Sequence, residues 1–219
     1  MGDDSISSRP FNERKLDEFV SSKIENLVTQ DNIPPITVQE VVELIDRLSC
    51  SKATGPDAIC VKILQLVSPV FCHPLTKLLN LSIAKGIFPS KWKIARVTPL
   101  YKAGPHKLRP ISVLSVLSKI FEKHVAKSLM GHLVNNQLLY KLQSVFRAGH
   151  SNESPLIKLT DQILFNMDQD KSGMVFIDLR NAFDVVDHQL LLTKLRLYRM
   201  GDSAPIWSKI LMNGRLRTE

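Results

Sequence analysis

Asp178 stands at the end of the apolar run Met174–Ile177, inside the string F-I-D-L-R-N-A-F-D that covers residues 176–184. A carboxylate at the end of a buried strand leaves the sheet on one face, and two readings of it are open. It can be satisfied by loop amides, or it can hold a hard cation. Mg²⁺ takes oxygen donors and uses one or two protein carboxylates beside water and phosphate oxygens. Asp184 and Asp187 follow closely, but capping the helix that starts next explains Asp187 more simply, and neither is assigned to a metal. A second concentration of chemistry precedes them. Between Lys85 and Lys127 the chain carries Lys85, Lys91, Lys93, Arg96, Lys102, Lys107, Arg109, Lys119, Lys123 and Lys127 against Glu122 alone. Such an excess attracts polyanions, although a solvated basic face has the same composition.

The elements that position these residues are legible from periodicity. Residues 1–36 form an acidic, polar lead-in with a weak amphipathic run through Leu16, Phe19, Val20, Ile24 and Leu27. Thr37-Val38-Gln39-Glu40 has the form in which a Thr hydroxyl and a Glu carboxylate reciprocally satisfy free amides at a helix start, with Val41, Val42, Leu44, Ile45 and Leu48 as the buried stripe. Gly55-Pro56-Asp57 breaks the chain ahead of a helix carrying Ile59, Ile63, Leu64 and Val67. A further helix follows through Leu75, Leu78, Leu79 and Ile83, stopped by Gly86 in a left-handed conformation with Pro89 beyond. Ala95–Tyr101 alternates as a strand whose Pro99 confines it to an edge or to its own end. Ser115–Val134 is the clearest helix, with Leu117, Ile120, Phe121, Val125, Leu129 and Leu133 at helical spacing. A helix after Ser154 uses Leu156, Leu159, Ile163, Leu164 and Met167. Met174–Leu179 is expected as a buried strand, and a last helix after Asp187 holds Leu190, Leu191, Leu192, Leu195 and Leu197. Few strands among many helices leave the class as α+β or α/β.

The chain has 219 residues, 44% hydrophobic and 23% charged, enough for one domain that buries its core without disulfide staples. Cys50, Cys60 and Cys72 form an odd set without C-x-x-C, which argues against a disulfide framework or zinc ribbon and favours a reducing compartment. Charge interrupts every apolar stretch well before the ~20 residues of a membrane span. The start of the chain lacks the basic and apolar segments of a secretory signal. The net charge of +8 is divided unevenly: residues 1–50 carry 5 basic and 10 acidic side chains, whereas residues 51–219 carry 24 and 11.

Val175–His188 resembles the first catalytic block of reverse transcriptases from non-LTR, LINE-type retrotransposons of the jockey-like group, where V-F-L-D-L-x-x-A-F-D-x-V-D-H is usual. The resemblance continues upstream in the same order. It takes in Ser51-Lys52-Ala53-Thr54-Gly55-Pro56-Asp57, Phe88-Pro89-Ser90-Lys91-Trp92-Lys93 and Thr98-Pro99-Leu100-Tyr101-Lys102-Ala103-Gly104. Arg109-Pro110-Ile111-Ser112, Leu117–Lys123 and Phe146-Arg147-Ala148-Gly149-His150-Ser151 then follow. The resemblance implies an α+β, partial right-hand polymerase fold over residues 37–219, comprising the fingers and the first palm block. It implies RNA-directed DNA synthesis on an RNA template from a DNA primer, with deoxynucleoside triphosphates as substrates and Mg²⁺ as cofactor.

Carried over by position, Asp178 corresponds to the first metal-binding aspartate, with the backbone carbonyl of Leu179 as a second ligand. Lys102 and Arg109 resemble the basic pair laid on the incoming triphosphate. A guanidinium fork can hold two phosphate oxygens, while the ammonium acts as a mobile point charge. Phe183 falls where a bulky side chain excludes a ribose 2′-hydroxyl by steric clash; plain core packing is its alternative. Arg147 is a candidate for template or nucleotide contact. The chain departs from the pattern in a short 104–109 loop, in Leu108 where Tyr is common, and in Asn152 and Pro155 where Thr and Ala are usual. Val145 occupies a glycine position and would be strained there if positive φ is required. The A-D-D block and the P-Q-G segment before it do not occur within the 219 residues. The expectation is therefore that the chain alone does not polymerise. The alternative function is a catalytically inactive nucleic-acid-binding remnant, and the unpaired edge of Met174–Leu179 predicts poor solubility.

Overall fold

The computed structural model describes residues 33–101, 108–140, 143–147, 149–151, 153–167, 175–179, 186–200 and 216–218. It is a mixed helix and strand fold. The order is α1 (Val38–Asp46), α2 (Val61–Lys85), a 3₁₀ turn (Ser90–Lys93), β1 (Ile94–Tyr101), β2 (Leu108–Leu114), α3 (Val116–Asn135), α4 (Glu153–Met167), α5 (His188–Leu197) and β3 (Leu216–Thr218). The chain divides into two compact units, residues 1–132 with 188–219, and residues 133–187. The expected amphipathic run of the lead-in lies outside the described residues.

Helix α1 starts as its sequence requires in one half of the cap. Thr37 Oγ1 accepts from the Glu40 amide at 3.1 Å. Instead of turning back toward Thr37, the Glu40 carboxylate accepts from Lys127 Nζ on α3 at 2.8 Å and lies 3.4 Å from His124 Nδ1. The reciprocal cap is lost because two basic side chains of a neighbouring helix compete for that carboxylate. Burial alone would raise the Glu40 pKa, but the Lys127 hydrogen bond and the His124 charge together hold it below its ordinary 4.5. A carboxyl lowered on folding stabilises above its unfolded pKa, and that stabilisation is lost as pH falls through the folded value. Denaturant midpoints of the wild type should therefore drop between pH 6 and pH 3 by more than those of Glu40→Gln. The difference is no larger than about 1 kcal/mol for a pair this close to solvent.

Helix α2 is one continuous element where the sequence suggests two. Pro69 and Pro74 lie inside it. Each removes one helical donor and frees the carbonyl four residues earlier. Both prolines are exposed, so water can satisfy those carbonyls. The opposite face carries Val61, Leu64, Ser68, Cys72, Leu75, Leu79 and Ser82 into the core at helical spacing, which holds the helix together across both prolines. It begins at Val61, later than Pro56 suggests, because Gly55-Pro56-Asp57 is spent on a turn. It ends as expected: Gly86 adopts φ +61°, and the amides of Gly86 and Ile87 donate to Ile83 and Ser82 carbonyls, both at 3.1 Å. Gln65 of α2 in turn donates from Nε2 to the Ile45 and Leu48 carbonyls at 3.2 Å, covering the end of α1.

The core of the first unit is closed by three rings. Phe88 stacks on Phe121 at 5.6 Å, and Trp92 meets both edge-on, at 5.9 Å from Phe88 and 6.1 Å from Phe121. The F-P-S-K-W-K string is thus a packing device: its two aromatic residues are buried, and Lys91 and Lys93 flank Trp92 on the 3₁₀ turn. Around the rings lie Val41, Ile45, Val61, Leu75, Leu79, Val116 and Ile120. The second half of α3 packs elsewhere, with Leu129 against Leu191, Leu195 and Met200 of the α5 region, and His132 Nε2 is 2.8 Å from the Tyr198 carbonyl.

The strands form one sheet in the order β2-β1-β3. β1 and β2 are antiparallel from Ala95↔Leu114 to Tyr101↔Leu108, and β3 lies parallel to Ile94–Arg96. Pro99 faces Pro110 across the hairpin. Neither can donate, so an antiparallel ladder tolerates the pair only at a non-hydrogen-bonded position. Among the described residues β3 pairs only with Ile94–Arg96, and no described strand pairs with β1 at Pro99 on that side, which suits a residue that cannot donate. Neither β2 nor β3 was expected from sequence. Pro110 interrupts the first, and three residues are too few to show a period in the second.

Candidate nucleotide and metal site

The β1–β2 hairpin is anchored at its base. Ala95 and Leu114 are buried, whereas Thr98, Pro99 and Leu100 are exposed. Arg109 is opposite Leu100 in the register. Lys102 is the residue that follows β1 and lies outside the described residues, as does Phe183. The hairpin base is held by the S-K-A-T-G-P-D segment. Arg96 donates from Nη2 to the Thr54 carbonyl, and Ser115 Oγ donates to Asp57 Oδ2. Ser115 Oγ also accepts from the Leu117 amide at 3.2 Å, so one hydroxyl joins the turn to the start of α3. Between them Gly55 lies against the chain so closely that an added Cβ would be 2.7 Å from Ser115 N and 2.8 Å from Leu114 C.

These are backbone atoms, and no side-chain rotation relieves the overlap. Gly55→Ala should cost about 1–3 kcal/mol, as overpacking does, read as a lowered urea midpoint. Gly131→Ala is the control, because nothing lies within 4 Å of its added Cβ. In the middle of α3 that change should stabilise by about 0.5–1 kcal/mol.

The basic residues are not equivalent in place. Lys127 is paired to Glu40, and Arg96 is spent on Thr54. Lys119 is half-buried, and burial followed by the charge of Lys52 lowers its pKa against the opposing Glu122 and Asp57 carboxylates. Lys52 and Lys119 therefore form a like-charge pair beside the Gly55 turn, a feature that sequence separation concealed.

In the second unit, Asp178 lies in the segment 175–179, which is neither a strand nor buried. Val175, Phe176, Ile177 and Leu179 are 85%, 80%, 83% and 69% exposed. This corrects the expected buried strand. A run apolar on both faces becomes a strand only between partners that take its hydrogen bonds and cover its side chains. No described strand pairs with it. Asp178 is consequently exposed, and among the described residues no three His, Cys, Asp or Glu side chains converge on one point. Arg147 is engaged locally, donating from Nη1 to the Tyr140 and Gln143 carbonyls at 3.4 and 3.3 Å. Positive φ in this loop falls on Phe146 (+62°) and Gly149 (+76°), not on Val145, so Val145 avoids the strain its glycine-like position suggested. Helix α4 is present as expected, with Ser151 Oγ accepting from the Glu153 and Ser154 amides, but none of its residues is buried.

Among the described residues, no helix is long and apolar enough to cross a membrane. Residues 100–219 match the family described as reverse transcriptase (RNA-dependent DNA polymerase). The chain is 35% identical over 170 residues to the probable RNA-directed DNA polymerase from transposon BS of Drosophila melanogaster, covering 75% of this chain and 19% of that one. It is 30% identical over 197 residues to the probable RNA-directed DNA polymerase from transposon X-element of the same species, with 86% and 22% covered. To the RNA-directed DNA polymerase from mobile element jockey it is 27% identical over 189 residues, with 84% and 20% covered. The chain spans about a fifth of the length of these relatives. On a match to more than half its residues, and on relatives drawn from non-LTR transposons, the chain belongs to the LINE-type, jockey-like branch of the reverse transcriptase family.

Proposed function

We propose that residues 37–219 supply the fingers and first palm segment of an RNA-directed DNA polymerase of a non-LTR retrotransposon, behind an acidic lead-in of residues 1–36. The longer protein adds deoxynucleotides to a DNA primer on an RNA template. The observation that carries this reading is the reverse transcriptase match over residues 100–219, which runs through Asp178. In this reading Asp178 and the Leu179 carbonyl hold Mg²⁺. One carboxylate and one carbonyl are hard oxygen donors, and Asp178 is open to solvent, which fits a cation that completes its shell with water and phosphate oxygens. When bound, the cation polarises the primer hydroxyl and neutralises charge on the leaving pyrophosphate.

The chain's own groups do the rest. Lys102 and Arg109 bind the triphosphate, and the Gly55–Ser115 anchorage fixes the base of the hairpin that carries Arg109. Phe183 excludes a 2′-hydroxyl and so selects deoxyribose; Arg147 contacts template or nucleotide. The test is incorporation of labelled deoxynucleotides by a polymerase containing this chain, in which Lys102→Ala and Arg109→Ala should raise the KM for nucleotide more than they lower kcat.

A second reading, binding of RNA without catalysis, draws on the Lys52–Lys119 pair and the basic excess between Lys85 and Lys127. Phosphate contacts release counterions, so affinity should fall steeply with salt. For about five contacts to single-stranded RNA, raising salt from ~50 to ~200 mM weakens binding roughly a hundredfold. Titration of a fluorescent RNA at several ionic strengths checks it, and affinity indifferent to salt would remove the electrostatic account.

A further inference from the structure

Among the described residues, four other than glycine have positive φ, and Phe146 at +62° is the one aromatic side chain in that set. A bulky residue in the left-handed region is strained, because its Cβ crowds the following carbonyl. Glycine would make the same turn without that cost. Strain of this kind persists only where the surrounding chain holds it, and the loop around Phe146 does so. Arg147 Nη1 donates to the Tyr140 and Gln143 carbonyls at 3.4 and 3.3 Å. The Gln143 amide donates to the Tyr140 carbonyl at 3.0 Å, and Gln143 Nε2 donates to the Val145 carbonyl at 3.3 Å. On the other side the His150 amide donates to the Arg147 carbonyl at 3.3 Å. What this bracing presents is an aromatic ring that is 75% exposed, a placement that neither core packing nor turn-making explains.

We infer that Phe146 is a stacking platform for an unpaired nucleobase of single-stranded RNA; the inference rests on the RNA-directed reading above, which makes such a strand the ligand. Every base has a π-face, so stacking on an aromatic ring holds a strand without reading its sequence. A platform must be rigid and open. The carbonyls held by Arg147 and Gln143 make the loop rigid, and the exposure of Phe146 makes it open. Arg147 is in this arrangement a positioning residue for the ring. The charge of the segment suits the same ligand: residues 133–152 carry Lys141 and Arg147 and no carboxylate, so the loop's own sequence opposes no phosphate beside a stacked base. Size decides against a protein partner. One ring, with Val145 beside it, offers far less apolar area than a stable protein interface buries, whereas a single base covers a single ring.

The experiment titrates the intact chain with a fluorescent single-stranded RNA and with an abasic strand of equal length, at several salt concentrations, for the wild type, Phe146→Leu and Phe146→Trp. On RNA, Phe146→Leu should bind at least about fivefold more weakly, the loss expected for one stacked base. Its salt slope should be unchanged, because no phosphate contact is removed. Phe146→Trp should bind RNA as well as the wild type or better, and on the abasic strand all three should bind alike. Phe146→Asn, whose short side chain tolerates the left-handed backbone, should lose the same affinity while keeping or raising the melting temperature. Equal RNA affinity of the wild type and Phe146→Leu would overturn the inference and leave the polymerase reading standing. A deficit of the same size on the abasic strand, or a lowered melting temperature in Phe146→Asn, would also overturn it by making the residue structural. A wild type that binds RNA at no salt concentration would remove both the inference and the RNA-directed reading beneath it.

Discussion

Phe121→Ala lowers the stability of the first unit by about 3–5 kcal/mol, the range for removing a large aromatic side chain from a core that cannot collapse. The reason is in its neighbours. Phe121 is fully buried, stacks on Phe88 and receives the edge of Trp92. Phe88 and Trp92 are themselves fixed by the Gly86 stop and by the 3₁₀ turn, so neither ring can swing into the vacated volume without moving the chain that leads into β1. Against a total of about 5–15 kcal/mol for a domain, this loss is a large share. Urea denaturation followed by tryptophan fluorescence reads it directly. Phe121→Leu, which keeps most of the volume, should recover more than half of the loss.

Asp178→Ala is expected to have the largest effect on activity. A carboxylate that holds a cation at the reacting phosphate contributes several kcal/mol of charge stabilisation, and each 1.4 kcal/mol is tenfold in rate. Incorporation should fall by at least about a thousandfold. Asp178→Asn should be nearly as poor, because it keeps the shape and loses the charge. Asp178 is exposed, and its apolar neighbours Val175 to Leu179 are exposed with it, so neither substitution should move the melting temperature of the chain by more than a degree or two. That combination, activity lost and stability kept, separates a metal ligand from a strand-end aspartate that merely caps a loop.

Local rules carried much of the fold. Thr37 begins α1, Gly86 ends α2, and the Ile120, Phe121 and Val125 stripe makes α3, because each depends on a few residues close in sequence. Contacts between distant segments were hidden. Separate apolar sets, one ending at Val67 and the next beginning at Leu75, suggested two helices, and the buried face of α2 joins them into one across Pro69 and Pro74. Glu40 was recruited by Lys127 and His124, 87 and 84 positions away. The tight approach of Gly55 to Ser115 has no local signature at all. The site was legible by another route: Asp178 could be singled out by its place after an apolar run, but Lys102, Arg109 and Phe183 became candidates only through ordered resemblance, since an isolated Lys, Arg or Phe has many uses. The expected strand at Met174–Leu179 failed for a physical reason, because a strand is a property of a sheet and not of one segment.

The account rests on Asp178 being a metal carboxylate of a template-directed polymerase. The most direct measurement joins this chain at Glu219 to the segment that follows in the jockey polymerase and assays Mg²⁺-dependent, RNA-templated primer extension with and without Asp178→Ala. The prediction is extension by the parent that is lost in Asp178→Ala, with both proteins melting alike. Equal extension by the two, or a cooperatively melting parent that extends nothing, would contradict it.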